Sequence, residues 1–224
     1  MEGSPVVDDA TEMELVVVPK PLAFTRGMNA RAAVSWVRHH HGPAGVERLA
    51  SSLAPDLIHV LGPDLRPRSM GWIPFMVQAR LLEGIDQLFG RGDYRLLRDV
   101  GRHMAMHDFP AIARPLARML SPGLFVDLSV KIWRLYNTHG RWEVSRGPRE
   151  INAVRFESAE SHIAFCEGTM GWIEGAMMFC GAVDVVATEE RCCARGGPCC
   201  SVRVRWVEAS DNVVARDRRP RPPT

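Results

Sequence analysis

The spacing of hydrophobic positions changes character along the chain. Up to about residue 138 they recur at helical intervals. NARAAVSWVRHHHG (29–42) opens on an Asn cap and stops at a glycine, and a second helical segment over 45–61 is broken at Pro55. The segment 74–90 opens on a proline suited to a first helical turn and places Val77, Leu81, Ile85 and Leu88 on one face. Asp93 is placed to cap the next helix, whose stripe is Tyr94, Leu97, Gly101 and Met104. After a proline-bounded segment (110–120), Phe125, Leu128, Ile132 and Leu135 recur at helical spacing across 123–138.

Beyond residue 140 the period shortens. RWEVSRG (141–147) and EINAVRFES (150–158) read as two strands that turn at Gly147-Pro148. Residues 159–179 return to helix. AVDVVATEERCC (182–193) and CCSVRVRWV (199–207) form a hairpin closed by the loop Ala194-Arg195-Gly196-Gly197-Pro198. This order predicts an α+β fold: a helical N-terminal half packed on an antiparallel sheet of about four strands, with helix 159–179 between the two strand pairs. The expected boundaries are a flexible acidic leader over 1–13, one domain over 14–208 that opens with a short strand (ELVVV, 14–18), and an arginine- and proline-rich tail over 209–224 with too little apolar surface to fold.

The helix over 159–179 carries two adjacent stripes. Ile163, Cys166, Met170, Ile173 and Met177 form a core-facing seam, while Ala164, Gly168, Gly171 and Gly175 form a strip with almost no side chains. Glycine costs a helix interior about 1 kcal/mol relative to alanine, so three on one face require a reason in packing. Close approach of another element of the same chain is the first expectation, and a dimer seam the second.

Composition narrows the class. The 224 residues are 46% apolar and 24% charged, with a net charge of +2. That is enough core for one domain, and no apolar run reaches the length of a membrane-spanning helix. The charge is too balanced for broad nucleic-acid binding, and the acidic start does not resemble a secretory signal. The expectation is a cytoplasmic protein that engages neither membrane nor nucleic acid.

All six cysteines lie in the last third: Cys166, Cys180, Cys192, Cys193, Cys199 and Cys200. Two adjacent pairs across a short loop do not make a secreted disulfide framework, which leaves a local metal site, a redox switch or simple packing. Strand parity groups Cys200 with Val202, Val204 and Trp206 on the buried face, and Cys199 with Ser201, Arg203 and Arg205 on the wet one. One helix cysteine and two or three hairpin groups then suffice for a closed tetrahedral site of thiolates around zinc.

The run FCEGTMGWIEGAMMFCGAVDVVATEERCCARGGPCCSVRVRW (165–206) resembles the 4-vinyl reductase domain family: a helix with a cysteine and spaced glycines, a Glu-x-x-Cys strand end, and a cysteine opening the next strand. The upstream stretches 79–104 and 124–146 resemble a family of uncharacterised proteins found mainly in myxobacteria. The resemblance implies a fold shared with haem nitric-oxide sensor domains and vesicle-tethering subunits. It implies a structural Zn2+ held by Cys166, Glu189, Cys192 and Cys200. By parity Glu190, not Glu189, shares the face of Cys192, so the implied set requires a bulge at the strand end. The resemblance further implies a pocket for a small apolar or aromatic ligand, for which Met104, Phe125, Trp133, Met170 and Met177 are candidate lining. The implied role is a non-enzymatic small-molecule sensory or signalling module, expected as a homodimer with a signalling partner. A scaffold subunit acting through dimerisation without ligand is the alternative, and an enzyme of tetrapyrrole vinyl reduction a further one.

Other constellations are weaker. His103 and His107 are one helical turn apart, but a zincin would need Glu where this chain has Met104. His39-His40-His41 ends a helix, where a solvated cap is the simpler reading. Gly90-Arg91-Gly92 lacks a third glycine and follows a helix, so it is no dinucleotide loop, and neither a nucleophile elbow nor a phosphate loop is present.

Overall fold

The computed structural model describes residues 22–68, 70–108, 121–156 and 160–208. The expected leader, the 14–18 strand, the 110–120 segment and the 209–224 tail lie outside these residues. Among the described residues, six helices lie on two antiparallel sheets: α1 (Gly27–Ser52), α2 (Pro55–Leu61), α3 (Phe75–Phe89), α4 (Leu96–Asp108), α5 (Pro122–Tyr136) and α6 (Ile163–Phe179). The α+β class and the single sheet of four strands are as the sequence predicts. Gly42 interrupts α1 with φ of 68°, followed at once by Pro43, so the expected break falls inside one kinked helix. Pro55 opens α2 and Pro122 opens α5, each in the first turn, where its missing N–H costs nothing.

Strands β3 (Arg141–Arg146), β4 (Glu150–Phe156), β5 (Ala182–Arg191) and β6 (Cys200–Glu208) pair antiparallel in the order β3-β4-β6-β5. A second sheet pairs β1 (Phe24–Arg26) with β2 (Trp72–Pro74), which the sequence does not predict because three residues are too few for an alternating pattern. On β4, Ile151, Ala153 and Arg155 point inward, and on β6 Val202, Val204 and Trp206 do the same.

Helix α6 is the centre of the fold. Its sheet side buries Met170, Ala176 and Met177 against Val202, Val204 and Trp206. Its opposite side lies so close to α4 that backbones touch. A Cβ built on Gly171 would stand 2.1 Å from the Arg98 carbonyl oxygen, and one on Gly101 of α4 would stand 2.1 Å from that of Gly168. Gly175 meets Arg102 and Ala105 in the same way. Along the glycine strip, Gly171 and Gly175 face α4 and Gly168 faces Leu82 of α3. Buried Glu174 ties this contact to the sheet by accepting from Arg98, Arg102 and the Ala187 N–H.

Three positions depart from the expected pattern, among them Ser201, expected on the wet face but buried, with its hydroxyl against Glu190. Leu135 is 64% exposed, because α5 turns Phe125, Val126 and Trp133 inward and leaves Leu135 on the outer side. Cys199 is buried, not wet: β6 begins at Cys200, so strand parity does not govern the residue before it.

Candidate metal centre and adjoining cavity

Three elements bring three sulfurs together. Cys166 comes from the first turn of α6, Cys192 from the end of β5, and Cys200 from the start of β6, where Gly196, with φ of 85°, lets the loop reverse. All three are buried, and their donor atoms lie within 4.8 Å of one another. The Cys166–Cys192 sulfur separation is 3.7 Å and the Cys166–Cys200 separation 4.0 Å. Two thiolates on a tetrahedral zinc, with Zn–S near 2.3 Å, stand about 3.8 Å apart. The spacing therefore suits that ion, and it is too long for a disulfide.

Arg155, a residue that sequence reasoning missed, forms the floor of this site. Its Nη2 donates to the Cys200 sulfur at 3.1 Å, and its guanidinium stands 5.5 Å from the centre of the Trp133 ring. Hydrogen bonds from Cys166 and Cys192, then the Arg155 charge and the Cys193 N–H, hold the Cys200 thiol well below the ordinary range. The Cys166 thiol moves the other way, raised by its hydrogen bonds to Cys192 and Cys200 and by burial. At Cys192 the bond with Cys166 lowers the value, but Cys200, burial and the Glu189 carboxylate push it up to about 12. Both directions favour negative charge on Cys200, beside the buried Arg155 cation.

The two glutamates separate as the expected bulge requires. Glu189 pairs with Val202 while Arg191 pairs with Ser201, so one residue is extra between them. Glu190 turns to the outer face, where it pairs with Arg203. Glu189 lies at the rim of the sulfur cluster beside Cys192, its carboxylate held by Arg195 at 3.3 Å. Of the four metal-site residues expected, Cys166, Cys192 and Cys200 are brought together and Glu189 stands outside the group. Cys193 is half-buried and packs against the cluster, its thiol raised first by burial and then by Cys200.

Between the helical half and the sheet lies an apolar cavity of about 110 Å³. Met104, Phe125, Trp133 and Met177 of the candidate lining do line it. Met170 does not: it is turned to the sheet-side core, where its sulfur accepts from Arg98. Trp142 and Trp172 complete much of the wall, and Gln78 and Asn137 place amides in it. The cavity and the sulfur cluster share α6: Gly168, Trp172 and Met177 face one, Cys166 the other.

The histidines form a separate group. His103 lies 4.4 Å from His107 and 5.9 Å from His39 between ring centres, and is within 2.8 Å of the Ser35 hydroxyl. Among the described residues, the cysteine cluster is the only group of three or more ligand-type side chains whose donor atoms converge within 4.8 Å.

No protein-family model and no curated protein matches the chain. Among solved structures, 47 chains do. An Fe(II) unliganded mutant H-NOX protein from K. algicida superposes with a TM-score of 0.60 at 13% identity, covering 82% of this chain and 97% of its own. An H-NOX protein from S. oneidensis in the Fe(II)NO state gives 0.61 at 12% identity, covering 82% and 99%. An oxygen-binding H-NOX domain related to soluble guanylate cyclases, in its oxygen complex, gives 0.58 at 16% identity, covering 81% and 94%. The likeness runs over nearly the full length of those chains, and it establishes that this chain has the H-NOX fold.

Proposed function

We propose that this chain is a non-enzymatic sensory or signalling module of the 4-vinyl reductase type. It binds a small, largely apolar ligand in the cavity, and a structural Zn2+ at Cys166, Cys192 and Cys200 pins α6 to the β5–β6 hairpin. The observation that carries this reading is the sharing of α6 by cavity and cluster. A ligand that shifts α6 moves Cys166, and a filled metal shell transmits that shift to the hairpin, where a partner protein reads it. Charge supports the metal: three thiolates around Zn2+ leave one negative charge, which buried Arg155 offsets, and Arg195 stands beside the charge that Glu189 would add. Glu189 is the nearest carboxylate for the fourth position once it leaves Arg195.

Haem, which one of the solved neighbours was built to probe, does not fit. A cavity of about 110 Å³ is below the range of even drug-sized sites. Among the described residues, no imidazole, thiolate or cationic side chain lines it to ligate iron or pair with propionates. The same size argues against a tetrapyrrole substrate. The scaffold alternative leaned on an open glycine face, and α4, with Leu82 of α3, fills that face, so a homodimer would use another surface.

Elemental analysis of tag-free protein tests the proposal. About one zinc per chain, lost in Cys200→Ser together with several degrees of thermal stability, is the expected result. A metal-free protein with six titratable thiols would overturn it.

A further inference from the structure

Four histidines meet where α1 packs on α4. His39 and His40 lie on α1 just before its kink at Gly42, and His103 and His107 lie one turn apart on α4. His103 is the hub: its ring centre stands 4.4 Å from that of His107, 5.9 Å from His39 and 6.5 Å from His40. Its orientation is fixed from behind. The Ser35 hydroxyl donates its one hydrogen to the Ala32 carbonyl at 2.8 Å, so it accepts from His103 Nε2–H, also at 2.8 Å. That places the ring hydrogen on Nε2 and the lone pair on Nδ1. A metal-binding histidine is held in this way, one nitrogen anchored by a hydrogen bond and the other open to the ion. The flanking groups are engaged elsewhere: His41 stacks on Phe89 at 4.1 Å, His40 packs on Trp36 at 4.5 Å, and Asp99 accepts from the Trp36 indole.

Protons charge neighbouring rings one by one and set them against each other, whereas a single divalent ion accepts lone pairs from several rings at once. We propose that His39, His103 and His107 form a metal site separate from the cysteine cluster, for a divalent ion of the nickel, copper and zinc group, which ties α1 to α4. Imidazole donors select that group over Mg2+ and Ca2+, which take oxygen ligands. The spacing of His103 and His107 is that of two histidines sharing one ion on a helix face, and His39 faces them from the neighbouring helix. Before metal binds, the three donors are spread wider than the cysteine sulfurs. His39 and His107 are exposed, and their rings turn towards the anchored His103 to close the set. Water completes the shell on the solvent side. The site shares no residue with the cysteine cluster, so it stands whether or not zinc binds there.

Ni2+ is the probe, titrated by calorimetry into the full, tag-free chain, with the denaturation midpoint as a second readout. One ion is expected to bind at this site and to raise the midpoint with increasing Ni2+, since it bridges two helices of the folded chain. His103→Asn and His107→Asn are each expected to weaken that binding at least about tenfold, the low end of what losing even a supporting contact around a metal costs. The side chain of His107 is exposed, so its variant keeps the test if His103→Asn fails to fold. Cys200→Ser is expected to leave the binding in place. Loss of all Ni2+ binding in Cys200→Ser would assign the ion to the sulfurs and overturn the proposal. Undiminished binding in the two α4 variants would assign it to the 39–41 run alone, and overturn the bridge between helices. Absence of binding at millimolar Ni2+ would overturn the site itself.

Discussion

Arg155 and Cys200 face each other directly across the β4–β6 ladder, and the guanidinium donates to the sulfur at 3.1 Å. Arginine is almost never buried this deeply without a charge partner, and Arg155 is 2% exposed. Its partner is the Cys200 sulfur. Under the proposed zinc site, the same contact would make Arg155 a positioning residue for the metal and not a ligand.

Replacing Arg155 by methionine keeps the volume and removes the cation. Zinc affinity is expected to drop about 10- to 100-fold, the usual cost of losing a supporting contact around a metal. The metal-free protein is expected to lose about 3 kcal/mol, because the sulfur cluster loses its counter-charge. Competition with a chromophoric chelator and urea denaturation measure the two effects. An unchanged zinc affinity would show that the guanidinium serves packing alone.

Backbone contact at the α4–α6 crossing predicts the effect of a single methyl. Gly171→Ala and Gly101→Ala each drive a Cβ into a carbonyl oxygen, and each is expected to destabilise the chain by about 3 kcal/mol. Gly123→Ala in α5 meets nothing nearer than the end of the Arg146 side chain, at 3.6 Å, and is the control, with a change within about 0.5 kcal/mol. Equal, small effects at Gly123 and Gly171 would show that backbone contact does not set the cost at the crossing.

The outline of the fold was legible because its punctuation is local. Gly42, Pro55 and Pro122 mark helix ends through their own backbone chemistry, and the alternation in β4 and β6 fixes which residues point inward. The same alternation required a bulge before Cys192, and one is present. What was not legible depends on distant neighbours. Arg155 shares the inward parity of Ile151 and Ala153, a signal that a strand reading registers only when a charged residue on a core face is treated as a site. Gly101 was seen in the α4 stripe, but its partner, the Gly168 carbonyl, belongs to a helix 67 residues later in the chain. Met170 and Met177 carry the same helical spacing and share the sheet-side core, and the sequence does not show that Met177 alone also borders the cavity.

Glu174 predicts a coupling between the helical half and the sheet. It accepts from Arg98 at 3.3 Å, Arg102 at 3.0 Å and the Ala187 N–H at 3.1 Å, linking α4 and β5 through α6. Glu174→Ala leaves the buried Ala187 N–H without its acceptor and removes one acceptor from each arginine, which keep Glu167 and Asp99, and is expected to cost about 2 kcal/mol, discounted for the solvent that reaches both arginines. Hydrogen exchange at Ala187 and its β5 neighbours is expected to speed up more than exchange in β3. Uniform acceleration across the sheet would refute a specific link.

Acid provides the last test, through His139. Burial, with Arg155 adding to it, lowers its pKa from 6.5 to about 4 in the folded chain. His103 is lowered to about 4 as well, by burial first and then by His107, His39 and His40. Unfolding releases both to the ordinary value, so between pH 6.5 and 4 the unfolded chain binds the more protons. Their contribution to stability is therefore complete above pH 6.5 and is lost as pH falls towards 4. For His139, 8% exposed, the loss is expected to reach about 2 kcal/mol at pH 4. His139→Gln removes the titrating group and is expected to flatten that part of the curve, measured as urea unfolding free energy at half-unit steps from pH 7 to 4. His103 lies nearer to solvent, so His103→Gln is expected to flatten it less. A wild-type curve already flat over this range would mean that both rings take up their protons without strain in the folded state.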